Sequence, residues 1–189
     1  MTLLNKLPIY HLCFSSKKAY YALRYMLNLA QQNNQSSVNL HILLNACYFA
    51  EKRHLNMYWR PIFGATYRAM PYGPVPLEIY EMIKGEPLWL SELGRNNYPW
   101  RLEGYHLIAT ENEPLDPRNV SPSDLKVLQY GFTLACKLKL NEYTAETHDL
   151  AWHRAKHGYI NYADMIDESN PDREAILESL YEDSHLWKL

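Results

Sequence analysis

Three histidines and an aspartate near the C-terminal end come closest to a reactive centre. The segment HDLAWHRAKH contains His148, Asp149, His153 and His157. A catalytic zinc ion requires three protein ligands in good geometry. His153 and His157 are four residues apart and would share a helix face, but His148 is turned off that face, and no glutamate is placed as in an HExxH motif. We therefore predict no metal and no cofactor, and assign these histidines to the surface near a helix C-terminus, where a partly cationic ring is favoured.

The other reactive side chains form no catalytic pattern. Cys47 and Cys136 fall within the apolar stripes of predicted helices, where buried thiols behave as small hydrophobic groups and are usually inert. The sequence contains no G-x-S-x-G motif, no P-loop and no GxGxxG motif. We predict no catalytic residue and a protein that is not an enzyme. A hydrolase that uses His148, His153 or Asp149 remains the least favoured of the hypotheses.

Composition and charge exclude several classes of protein. Of the 189 residues, 47% are hydrophobic and 21% are charged, with a net charge of −2, which is typical of a globular protein of one domain. No apolar run approaches the roughly 18 residues of a membrane span, and no signal peptide is evident. The three cysteines lack a CxxC spacing, which indicates a reducing cytoplasm. Isolated basic pairs such as Lys52-Arg53 do not make the continuous stripe that nucleic acid requires.

Hydrophobic periodicity predicts the elements that must position any site. A first helix follows a cap at Ser15 or Ser16. A second, from about Val38 to Asn56, is apolar on nearly every face between Ile42 and Ala50, and we expect it to be the hub of the core. Further helices are predicted at about 75–84, after a Ser121 cap, at about 145–156, and after an Asn170 cap. Residues 86–99 are predicted to be irregular, and residues 100–109 to form a β-hairpin. The expected fold is a single compact, mainly α (α+β) domain of about six helices with a small β-hairpin or sheet element.

The segment MPYGPVP, residues 70–76, places three prolines and a glycine before a predicted helix. Pro74 disfavours the α region for the residue before it, and Gly73 can adopt backbone angles that alanine resists. Pro74 and Pro76 are predicted to lie in the first turn of a helix that begins at about Val75. Gly73, Pro74, Val75 and Pro76 should thus form a rigid strand-to-helix elbow that holds Tyr72 in one place.

Tyrosine is unusually frequent, with 16 residues against 4 phenylalanines. It is enriched at protein interfaces and also suits the edge of a core, and composition leaves both interpretations open. Tyr67, Tyr72 and Tyr80 surround the predicted elbow, and Glu78 should lie on the exposed side of the helix that follows. A rigid element flanked by tyrosines is a reasonable anchor, so we predict that Tyr67, Tyr72, Glu78 and Tyr80 bind a partner. The alternative is that the rings pack inward.

Three segments, taken in order, resemble the Panacea, or SocA-like, antitoxin domain. They are YFAEKRHL (48–55), RPIFGATYRAMPYGPVPLEIYEMIKG (60–85), and THDLAWHRAKHG followed by INYADMID (147–167). The best-matching core covers residues 39–166, with the helices of 1–38 and 167–189 expected to pack on it within one domain, 1–189. The chain departs from the family pattern at three positions. Asn45 replaces a usual lysine, Trp59 stands where glycine is common, and Pro71 replaces a frequent basic residue.

The resemblance implies an interaction protein. Panacea domains act as antitoxins beside highly varied toxins, often on prophages and other mobile elements. They neutralise mostly by binding the toxin, and some members deliver it to a protease. The implied partners are therefore a cognate toxin and, for an adaptor, a protease. The alternative is a phage or mobile-element inhibitor of a host defence protein or nuclease on the same scaffold.

Overall fold

The computed structural model describes residues 10–111 and 116–186. Within these ranges the mainly helical α+β class is confirmed, but there are nine α-helices rather than about six. The elements are α1 (Ser16–Gln32), β1 (Ser37–Asn39), α2 (Leu40–Tyr58), β2 (Tyr67–Met70), β3 (Gly73–Pro76), α3 (Leu77–Lys84), α4 (Pro87–Leu93), β4 (Trp100–Glu103), β5 (His106–Ala109), α5 (Pro122–Lys137), α6 (Leu140–Thr147), α7 (Leu150–Ala155), α8 (Tyr162–Met165) and α9 (Arg173–Leu186), with a 3₁₀-helix at Pro117–Asn119 before α5.

Local capping explains most of the additional helices. The predicted irregular stretch contains α4, which begins with Pro87 at its first turn and ends at Gly94 in a left-handed conformation. The single helix predicted for about 145–156 is wrong, because the Asp149 side chain accepts a hydrogen bond from the Trp152 N–H and starts the separate helix α7. The short helix α8 was not predicted.

Helix α2 is the hub of the core, as its apolar character predicts. Every residue from Leu43 to Ala50 is buried, and the principal neighbour of α2 is α5. The two helices approach closely at Gly131, where an added Cβ would lie 2.5 Å from the Ala46 carbonyl oxygen and 3.0 Å from the Ala50 nitrogen. Cys47 is buried on α2 as expected, whereas Cys136 is exposed, so its predicted burial is wrong.

The first sheet has the order β1–β5–β4 and is antiparallel throughout. Strands β4 and β5 pair from Trp100 opposite Ala109 to Glu103 opposite His106, which confirms the predicted hairpin. Strand β1 includes Val38 and Asn39, which were predicted to begin the second helix. Val38 pairs with the buried Leu107, so the sheet covers one end of the helical core. No described helix is both long and apolar enough to cross a membrane.

Helix α5 begins at the predicted capping box, where the Ser121 hydroxyl and the Asp124 carboxylate each accept a backbone N–H of the other residue. The Asp124 carboxylate is fully buried and also bonds Lys18 Nζ at 2.9 Å, with His54 Nε2 at 3.2 Å. Burial raises the pKa of this carboxyl, but His54, the Ser121 N–H and Lys18 outweigh it and hold the pKa well below its usual range.

Asp124→Asn is expected to lower the free energy of unfolding at pH 7 by about 2 kcal/mol and to flatten its acid dependence. The folded-state pKa is depressed, so this stabilisation is present above the unfolded pKa, near 3.8, and disappears as the pH falls through and below that value. Urea unfolding at pH 7, 5, 4 and 3 measures the effect, with the exposed Asp172→Asn as the matched control. Equal acid dependence in wild type and Asp124→Asn would contradict the assignment.

Candidate functional site

The proline-rich elbow is a β-hairpin. Strands β2 and β3 pair antiparallel, with Met70 opposite Gly73, so Pro71 and Tyr72 form a two-residue turn. The helix predicted to begin at about Val75 begins instead at Leu77, after Pro76 in an extended conformation. The reason is that the φ of proline fits extended as well as helical backbone, and a strand accepts proline where no ladder N–H is required.

The hairpin is fixed on both sides. Beside β2, the Ala69 N–H donates to the Gly158 carbonyl and the Ile160 N–H donates to the Tyr67 carbonyl, at 2.9 and 2.8 Å. At the turn, Gly73 has φ +114°, which confirms its predicted need for angles that alanine resists. A Cβ at Gly73 would overlap Asn45 Oδ1 and lie 3.0 Å from Thr147 Oγ1. The hairpin is therefore seated directly on α2 and on the end of α6.

Tyr67, the first of the four predicted partner-binding residues, faces the core. Its side chain is 1% exposed, and its ring packs against Tyr48 and Tyr162 with centroids 5.6 and 6.2 Å apart. Its hydroxyl lies 3.4 Å from the Cys47 carbonyl oxygen. Tyr67 offers no surface to a partner in this conformation, and the inward-packing alternative holds for it.

The other three predicted residues are exposed or half-buried, and each has its own neighbours. Tyr72 is 58% exposed at the hairpin turn. The Glu78 carboxylate accepts hydrogen bonds from Thr66 N and Thr66 Oγ1 at 2.8 and 2.6 Å, which ties α3 to the loop before β2. Tyr80 is half-buried on α3, with Lys84 Nζ 5.3 Å from its ring centroid. A partner-binding role for these three stays a prediction.

The structure instead assembles a surface around Tyr72, here called the hairpin surface, from the exposed Arg68, Met70, Tyr72 and Tyr159 and the half-buried Trp152. Burial alternates along β2, so Arg68 and Met70 share its outer face. Tyr159, 66% exposed, pairs with Arg68 in an isolated β-bridge. The Trp152 indole N–H donates to the Met70 carbonyl at 3.0 Å. Four aromatic or apolar residues and one cation thus lie on or beside the hairpin, linked by strand pairing and one side-chain hydrogen bond.

Histidines border this surface. The His148 ring stacks on Trp152 with centroids 3.6 Å apart, and burial lowers the pKa of His148. His153 and His157 meet the Trp152 ring nearly at right angles, at 5.2 and 5.3 Å. His41 lies 5.7 Å from the Tyr72 ring. The histidines therefore pack against aromatic rings, and no group of three or more potential metal ligands occurs among the residues that the structure describes.

The Asp149 side chain is held by hydrogen bonds within the fold. Besides capping α7, its carboxylate accepts hydrogen bonds from the Tyr48 hydroxyl at 2.7 Å and from Lys52 Nζ at 3.0 Å. Burial, followed by the Asp149 charge, raises the pKa of Tyr48 well above its usual range. The Asp149 carboxylate therefore faces α2, whereas His148 and His153 contact Trp152. These three residues, named above for a hydrolase, do not form an acid–base pair.

A crevice of about 390 Å³ lies beside Asp149, between α2 and α5. Several of its polar side chains are paired. Lys52 bridges Asp149 and Asp167 at 3.0 and 3.3 Å, and Asn56 donates to the Lys52 and Met165 carbonyls. These pairs join α2 to the segments that carry Asp149 and Asp167. Of the other charged residues that line the crevice, Arg53 lies over the Tyr130 ring with its Cζ 3.9 Å from the centroid, and Glu146 lies on α6.

Sequence reasoning identified Tyr72 but missed most of the hairpin surface. The alternation in YRAM could have indicated outward-facing Arg68 and Met70. Trp152 is 82 residues from its acceptor Met70, and no local pattern connects them. Trp59 has φ +62° at the C-terminus of α2, a left-handed conformation that glycine adopts most easily. That geometry explains why a glycine at this position would suit the fold.

Comparison with protein families gives a match to a family model. Residues 45–153 match the model described as antitoxin SocA-like, Panacea domain. The matched range is more than half of the chain and runs from within α2 to within α7, so it includes the β2–β3 hairpin and Trp152. The searches of curated proteins and of solved structures found no match.

Proposed function

The chain belongs to the SocA-like Panacea antitoxin family, and from this we propose that it neutralises a cognate toxin by direct protein–protein binding at the hairpin surface. The family match is the observation that carries the antitoxin role. The exposed aromatic side chains at the fixed hairpin support this location for the contact. In this proposal the protein acts by occupancy and is not an enzyme.

The composition of the hairpin surface supports a binding role. Interface hot spots are enriched in tyrosine, tryptophan and arginine, and this surface contains Tyr72, Tyr159, Trp152 and Arg68. Tyrosine supplies large contact area at a low cost in conformational entropy. The hydrogen bond from Trp152 to Met70 and the seating of Gly73 on α2 hold the backbone in place before binding, which reduces the ordering cost of association.

Tyr72→Ala and Tyr159→Ala are each expected to weaken binding by about 2 kcal/mol or more, which is roughly 30-fold. The measurement is co-expression with the toxic reading frame adjacent to this gene, scored by growth rescue, followed by titration calorimetry on the purified pair. Tyr181→Ala is the matched control, since Tyr181 is an exposed tyrosine on α9 with 52% of its surface accessible. Circular dichroism verifies that each variant is folded.

Further variants define the extent and mode of action. Tyr80→Ala and Glu78→Arg test whether the contact extends to α3. Immunoblotting measures the level of the toxin in the cell. The level stays constant if the protein acts by binding alone and falls if it delivers the toxin to a protease. Full rescue by folded Tyr72→Ala and Tyr159→Ala variants would move the contact elsewhere. If the protein protects cells from a host nuclease or defence protein but not from an adjacent toxin, the inhibitor alternative is favoured.

A further inference from the structure

Two cations of the hairpin region lack a counter-ion. Arg68 is exposed on β2, and Lys156 is exposed at the C-terminus of α7. Neither forms an ion pair with any residue that the structure describes. Arg68 pairs with Tyr159 in the β-bridge, and Lys156 precedes Tyr159 by three residues, so both cations belong to the strands and turn that carry the surface.

The carboxylates of Asp149 at the start of α7, of Asp164 on α8 and of Glu168 just after α8 are already paired with cations. Asp149 binds Lys52 at 3.0 Å. Asp164 and Glu168 both bind Arg154, at 2.9 and 2.7 Å. Asp149, Asp164 and Glu168 therefore do not neutralise Arg68 or Lys156. On α3, the Glu78 carboxylate accepts hydrogen bonds from Thr66 and the Glu81 carboxylate accepts one from Trp89. The bordering histidines add hydrogen-bond donors.

From this imbalance we infer that the segment of the partner that docks on the hairpin surface is acidic, with carboxylates that meet Arg68 and Lys156 and apolar side chains that pack on Tyr72 and Tyr159. The inference rests on the proposed binding function. A guanidinium presents a planar fork of donors that matches a carboxylate. Complementary charge of this kind supplies specificity and speeds association. Aromatic and cationic side chains also bind single-stranded nucleic acid. However, two cations in a protein of net charge −2 do not form a continuous track for successive phosphates.

The experiment uses a phage-displayed library of random 12-residue peptides, selected on the full chain at low salt and sequenced. The wild type is expected to enrich peptides with a net charge of −2 or lower, at least tenfold over the starting library. Arg68→Glu combined with Lys156→Glu is expected to abolish this acidic enrichment. Lys126→Glu combined with Lys137→Glu is the matched control, because both lysines are exposed on α5 and the change in net charge is the same.

Each outcome decides the inference. The inference is supported if acidic enrichment is lost in the hairpin double variant and in Tyr72→Ala and is retained in the α5 double variant. Enrichment without acidic bias, or acidic enrichment that survives the hairpin substitutions, overturns it. A fluorescent dT12 oligonucleotide that binds the wild type and not the hairpin variant would assign the surface to nucleic acid and also overturn it. Growth rescue from the toxin is scored separately, so the antitoxin function can hold while the acidic preference fails.

Discussion

Glu51→Ala is expected to remove most of the free energy of unfolding, so that the variant is unfolded or only loosely packed at 25 °C. The Glu51 carboxylate is fully buried. Its Oε2 accepts the N–H groups of Ile62 and Phe63 at 2.6 and 3.0 Å. Its Oε1 accepts the Gly64 N–H at 3.0 Å and the Tyr162 hydroxyl at 2.6 Å.

The size of the effect follows from the number of donors left without a partner. Each buried donor that loses its acceptor costs about 1–3 kcal/mol, and three backbone N–H groups do so, while the Tyr162 hydroxyl keeps the Ala65 carbonyl as an acceptor at 2.9 Å. The expected total, about 5 kcal/mol, is comparable to the whole stability of many domains, which is about 5–15 kcal/mol. Urea unfolding measures it, with Glu178→Ala on the exposed face of α9 as the control. A melting temperature within a few degrees of wild type would contradict the role assigned to Glu51.

Glu51→Gln separates hydrogen bonding from charge. The amide keeps one acceptor oxygen and places an NH₂ group against at least one backbone N–H, so an intermediate loss of about 2–3 kcal/mol is expected. Burial raises the pKa of Glu51, although the hydrogen bonds from Tyr162 and the loop amides oppose it. The folded state therefore holds this proton at pH values where the unfolded state, near 4.5, has released it. Stability from this group falls as the pH rises above about 4.5 through the folded-state pKa, and the glutamine variant should lack this dependence.

Gly73→Ala is expected to lower the free energy of unfolding by about 3 kcal/mol or more. A non-glycine residue in such a sparsely populated backbone region costs about 1–3 kcal/mol, and φ at Gly73 is +114°. The new Cβ would also overlap Asn45 Oδ1. Relief of that overlap would disturb the 2.8 Å hydrogen bond from the Asn45 amide to the His41 carbonyl. Urea unfolding of the purified variant gives the measurement.

Gly85→Ala is the matched control for the steric overlap that a Cβ at position 73 would create. Gly85 also has positive φ, +89°, but a Cβ there meets nothing within 4 Å, so a cost of only about 1 kcal/mol is expected. Combining Gly73→Ala with Asn45→Ala should recover part of the loss. An unchanged melting temperature together with lost partner binding would show that Gly73 serves the binding surface directly and would refute the structural interpretation.

Elements with strong local signals were predicted correctly from the sequence. Ser121, Pro122 and Asp124 specify the start of α5 within four residues, because a capping box is completed by side chains that neighbour one another in the chain. The β4–β5 hairpin is specified by alternation around Glu103-Gly104. The apolar run on α2 determined that this helix is central. The family was recognisable for the same reason, since ordered local motifs carry it.

Tertiary structure alone decided whether residues 73–76 form a strand or a helical turn. Proline restricts φ to a value that both conformations accept, so the local sequence is ambiguous, and pairing with β2 resolves it. The same pairing turns Tyr67 inward, because successive side chains of a strand face opposite sides.

The surroundings of Glu51 and of the hairpin surface likewise depend on residues that are distant in the chain. Glu51 reads in sequence as one more charged residue of a helix, yet its partner Tyr162 is 111 residues away. Trp152 is brought to Met70 from 82 residues away. Helical periodicity and capping depend on residues within about four positions. Burial, buried-acid pairing and a composite surface depend on the path of the whole chain, and for that reason only the folded structure determines them.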